Sequence, residues 1–91
     1  MKILAIEFST EQRSVAVTDE CKPLALVTTD NHKTSPMTLI HEALTKSKTE
    51  RSEINLIVVG IGPGSYTGIR SSIAIAQGWQ LGRNIKVCAI S

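Results

Sequence analysis

Short segments dominated by apolar residues run from Lys2 to Phe8, from Ser14 to Thr18 and from Leu24 to Thr29, and each reads as a β-strand. Between the second and third, Asp19-Glu20-Cys21-Lys22-Pro23 carries turn chemistry and predicts a hairpin. Ser35-Pro36 then supplies a helix start, with serine as cap and proline at the first helical position. Met37, Ile40, Leu44 and Ser47 follow on one face, and the helix is expected to run to about Lys48. Asn55 to Gly60, built on the unbroken run Leu56-Ile57-Val58-Val59, reads as a buried strand. Thr67 to Gly82 reads as a second helix and Ile85 to Ile90 as a last strand. The order is βββαβαβ, with no internal repeat and no low-complexity linker.

An antiparallel meander followed by two helix-containing crossovers predicts an α/β fold with a mixed five-stranded sheet and right-handed crossovers. Composition agrees. One Phe, one Tyr and one Trp in 91 residues leave an aliphatic core of the kind a parallel sheet buries. At this length, with 42% hydrophobic residues, the chain forms one domain over 1–91. Folding removes only about 60–65% of the unfolded surface from water, so the stability margin is thin.

The segment that does not serve helix or strand stability is Gly60-Ile61-Gly62-Pro63-Gly64-Ser65-Tyr66-Thr67-Gly68-Ile69-Arg70, directly after the buried strand. Each of its glycines costs conformational entropy that a packed element would avoid. A phosphate-binding P-loop is excluded, because no glycine has another five positions on and no lysine lies in the loop. A dinucleotide fingerprint fails at Thr67, where its third glycine belongs, and the last strand has no acidic residue to take a ribose. A nucleophile elbow on Ser65 would need glycines where Pro63 and Thr67 stand. What remains is a bare backbone opening a helix whose first amides lack partners, where an anion or a partner backbone could dock. The plainer alternative is tight helix-on-sheet packing with Ser65 or Thr67 as a cap.

Gly62-Pro63-Gly64-Ser65-Tyr66-Thr67-Gly68-Ile69-Arg70, together with Met1-Lys2-Ile3-Leu4-Ala5-Ile6-Glu7-Phe8-Ser9-Thr10, resembles the amino-terminal lobe of the TsaB (YeaZ) family, within the actin, Hsp70 and sugar-kinase superfamily. The resemblance covers essentially the whole chain and about half of a typical family member, so a second lobe is expected to be absent from this chain. It implies a ribonuclease-H-like lobe, here without the helix that usually follows the fifth strand. It also implies a supporting subunit in making threonylcarbamoyladenosine on tRNA, with catalysis, ATP and metal belonging mostly to a TsaD-like transferase partner. No cofactor is expected to bind this chain autonomously, while ATP or ADP could occupy a partner interface.

In that superfamily the end of the first strand carries an aspartate near the phosphates. Here Glu7 takes its place, and the extra methylene displaces a carboxylate that hydrated Mg²⁺ would need within narrow limits. Autonomous ATP hydrolysis is therefore not expected. The candidate nucleotide or phosphate contacts are Glu7, Ser9, Thr10, Gly64, Ser65 and Thr67, although hydroxyls in a strand-to-strand turn also serve simply as turn residues.

The second helix carries Ser71, Ala74, Gly78 and Gly82 at spacings of three and four, a stripe of small side chains where something packs closely. Its own sheet and a second subunit both fit the pattern. The resemblance points to the subunit, since in this family the two helices contact the catalytic partner or another copy. The expected interface comprises Met37, Ile40, His41 and Leu44 on the first helix. On the second it comprises Tyr66, Gly68, Ile69, Arg70, Ile73, Ala74, Gln77, Gly78 and Gln80. A homodimer is expected when the chain is alone. Arg70, a cation in a first helical turn, requires a counter-anion, either Glu7 or a group on the partner.

Other features are read plainly. His32 and His41 lack the spacing of a helical metal pair, Trp79 is assigned to the core, and Lys46 to Glu53 is expected to be a solvated helix end and loop. Cys21 and Cys88, the latter in a strand expected to be buried, are read as reduced thiols. Ten basic against eight acidic residues, net +2, give no basic surface for a direct grip on nucleic acid. No membrane span or signal-peptide core is visible, and a cytoplasmic location is expected. A different class of function stands as the alternative: the first lobe of a sugar-kinase-like or Hsp70-like phosphotransferase, which would need a second lobe to complete its site.

Overall fold

The computed structural model describes residues 1–8, 12–20, 22–31, 33–60, 66–82 and 85–90; within 66–82, side chains are described at positions 70 and 72–79. The elements are β1 (Lys2–Glu7), β2 (Arg13–Asp19), β3 (Lys22–Thr29), α1 (Pro36–Lys46), a 3-10 turn (Arg51–Glu53), β4 (Ile54–Gly60), α2 (Tyr66–Gly82) and β5 (Lys86–Ile90). The five strands form one mixed sheet in the order β3-β2-β1-β4-β5. β1 pairs antiparallel with β2 and parallel with β4; β2 pairs antiparallel with β3, and β4 parallel with β5. The expected order of elements and the mixed sheet are both present.

Strand alternation sorts side chains onto two faces. Val27, Val15, Ile6 and Val59 stand opposite one another in register, as do Val17, Leu4 and Ile57 in the next row. These side chains join Leu39, Ile40 and Ala43 of α1 and Ala76 and Trp79 of α2 in one buried cluster, so the helices share a face of the sheet. The other face carries Leu26, Ala16, Ala5, Val58 and Cys88 in a row, half-buried or exposed, with Leu26 63% exposed.

Several boundaries differ from expectation for identifiable reasons. Pro23, assigned to a turn, lies inside β3. That strand is at the sheet edge, and Pro23 falls where the register with β2 shifts, so its missing N–H interrupts little. Asn55 lies at a second shift, between Lys2↔Ile54 and Ile3↔Leu56, and its side-chain oxygen accepts the Lys2 N–H at 2.8 Å. Ile85 precedes β5 and is buried. Cys88 is free and exposed rather than buried, because β5 is an edge strand and Cys88 points to the uncovered face.

The buried stripe of α1 is Leu39, Ile40 and Ala43, which rests on β3 and β2; Met37, expected on that stripe, is 48% exposed. Ser35 makes no side-chain cap bond, and its carbonyl accepts the N–H groups of Thr38 and Leu39 instead. α1 stops at Lys46 in a Schellman-type end, with Thr49 N–H on the Leu44 carbonyl at 3.0 Å and Lys48 N–H on the Thr45 carbonyl at 3.1 Å. That geometry requires a left-handed residue at Lys48, whose φ is 54°.

Candidate functional site

Two helices on one sheet face turn their opposite sides outward together. On α2, Ser72, Ala76 and Trp79 are buried, at the spacing that points one helical stripe inward. Ile73, Ala74, Gln77 and Gly78 are exposed on the far side. A Cβ built on Gly78 would meet nothing within 4 Å. Packing on the chain's own sheet therefore does not explain Ala74 and Gly78; Trp79 and Ala76 occupy that side. Arg70 is exposed and is engaged by another group of the protein. The side chains of Tyr66, Thr67, Gly68, Ile69, Ser71, Gln80 and Gly82 lie outside the described residues.

On α1, Met37 and His41 are exposed and Leu44 is half-buried. Ile40, expected at the interface, is 1% exposed and belongs to the core, because it falls on the same stripe as Leu39 and Ala43. These four residues line a groove of about 530 Å³ that closes against Lys48, Arg51 and Trp79. The Arg51 guanidinium stands over the Trp79 ring, 4.4 Å from its centroid. A desolvated contact of this kind contributes up to about 2 kcal/mol, an exposed one about 0.5–1 kcal/mol. Trp79 is core, as expected. Its buried indole Nε1–H nevertheless has no hydrogen-bond partner among the described residues.

The stretch from Lys46 to Glu53 is more ordered than a solvated loop. Thr49 is buried, and Glu50 and Glu53 form a reciprocal capping box around the 3-10 turn, with the Glu50 N–H donating to Glu53 Oε2 at 2.6 Å. Lys2 Nζ adds a salt bridge to Glu53 at 3.2 Å. The Glu50 N–H, and secondly Lys2, hold the Glu53 carboxyl below the usual glutamate range. Sequence reading passed over Arg51 and Lys48. The signal was there in Glu50-Arg51-Ser52-Glu53, a capping-box spacing directly after a helix.

Of the expected phosphate contacts, Glu7 alone is described with its side chain; Ser9, Thr10, Gly64 and Ser65 lie outside the described residues. Glu7 pairs with Gly60 across β1 and β4 on the uncovered sheet face, its carboxyl lies against the Gly60 Cα, and another group also engages it. His32 and Cys21 are likewise outside the described residues. Among the described residues no three His, Cys, Asp or Glu side chains come together.

Comparison with known proteins adds the family. The sequence profile of TsaD, tRNA N6-adenosine threonylcarbamoyltransferase, matches residues 25–91. The tRNA threonylcarbamoyladenosine biosynthesis protein TsaB of Escherichia coli (strain K12) is 37% identical over 93 residues, covering 100% of this chain and 40% of the relative. TsaB of Buchnera aphidicola subsp. Baizongia pistaciae (strain Bp) is 34% identical over 85 residues, covering 93% of this chain and 35% of the relative. The chain thus spans about two fifths of the length of these relatives. Among solved structures, YeaZ from Pseudomonas aeruginosa superposes with a TM-score of 0.87 at 30% identity, over 99% of this chain and 42% of that one. ROK hexokinase from Thermus thermophilus superposes at 0.60 with 15% identity, over 99% of this chain and 33% of that one, a likeness of fold alone. The chain belongs to the family this profile describes and, within it, to the TsaB (YeaZ) group.

Proposed function

We propose that this chain acts as a non-catalytic supporting subunit in the biosynthesis of threonylcarbamoyladenosine on tRNA, docking a TsaD-like transferase subunit through the outer faces of α1 and α2. The observation that carries the reading is Gly78: a glycine inside a helix costs about 0.8–1 kcal/mol relative to alanine, and here open space faces it. A partner helix approaching closely gives that cost a purpose. Ala74 beside it, and Met37 and Ile73 exposed at 48% and 40%, extend the same surface. The names of the relatives, biosynthesis proteins of this modification, support the pathway. Glu7 turned against Gly60 supports leaving phosphate and metal chemistry to the partner, so ATP or ADP belongs at the shared interface. Without the partner, the same surface pairs two copies of the chain. No helix among the described residues is long and apolar enough to cross a membrane, which fits work on tRNA in solution.

The test is reconstituted threonylcarbamoyl transfer to tRNA with the chain omitted, alone, or mixed with the transferase subunit of the same source. The reading expects no transfer by the chain alone and a rise in transfer when the chain joins the transferase. Transfer by the chain alone would overturn it.

A further inference from the structure

We draw no further inference here: the strongest candidate, the apolar row Leu26, Ala16, Ala5, Val58 and Cys88 across the sheet face opposite the helices, is half-buried or exposed, and nothing among the described residues shows what covers it.

Discussion

The carboxylate of Glu7 fills the space that a side chain on Gly60 would have to enter: a Cβ built there would lie 2.6 Å from Glu7 Cδ and closer still to Oε2. The two residues face each other across the parallel pair β1 and β4, at the end of the sheet from which the glycine-rich segment departs. Gly60→Ala is therefore expected to push the glutamate outward, at a cost of about 1 kcal/mol, the low end for overpacking because the obstructing atoms end a flexible side chain. In a Glu7→Ala background most of that cost should vanish, giving a coupling of at least about 0.5 kcal/mol in a cycle measured by urea denaturation. Additive effects would contradict the contact.

Gly78 gives the opposite sign. With open space around its Cα, Gly78→Ala is expected to stabilise the isolated chain by about 0.8–1 kcal/mol, the ordinary gain at an exposed helix interior. Thermal or chemical unfolding of the two chains reads it. A loss of stability would mean that the chain itself packs against this position.

Lys48 stores strain at the end of α1. Its φ of 54° is a conformation that costs an L-residue about 1–2 kcal/mol, so Lys48→Gly is expected to raise the stability of the chain by about 1 kcal/mol. Thermal unfolding of the two chains reads it, and a fall in melting temperature in the variant would contradict strain at this position.

Glu53 couples β1 to the 3-10 turn in a pH-dependent way. Its folded carboxyl titrates below its unfolded value, first through the Glu50 N–H and then through Lys2. The stability it contributes is thus present above the unfolded value of about 4.3 and is lost as the pH falls through the lower folded value. A carboxyl NMR titration should find Glu53 depressed, and Lys2→Gln should raise it only part of the way. Complete recovery in that variant would assign the effect to Lys2 instead.

The elements were legible in the sequence because their signals are local: short apolar segments around Leu4, Ile6, Val15 and Val17, and Ser-Pro at the start of α1. The outward direction of Gly78 was not, since a stripe of small residues has the same spacing whether it meets a sheet or a partner. It took Trp79, filling the sheet side of α2, to decide. Ile40 misled for a related reason, because an apolar residue on an amphipathic helix reads alike as core and as surface until the helix is seated on β2 and β3. The groove joins residues from three elements far apart in the chain, and no spacing rule connects Arg51 to the indole of Trp79. Pro23 shows the reverse, a turn signal overridden by the tolerance of an edge strand.

The central claim is tested most directly by light scattering coupled to size exclusion, on the chain alone, on the chain mixed with the transferase subunit of the same source, and on the Gly78→Leu chain in the same mixture. The account predicts a stable mixed complex with the unmodified chain and none with Gly78→Leu, which remains folded because its added side chain projects into open space. A complex that survives Gly78→Leu with undiminished affinity would contradict docking through the outer face of α2.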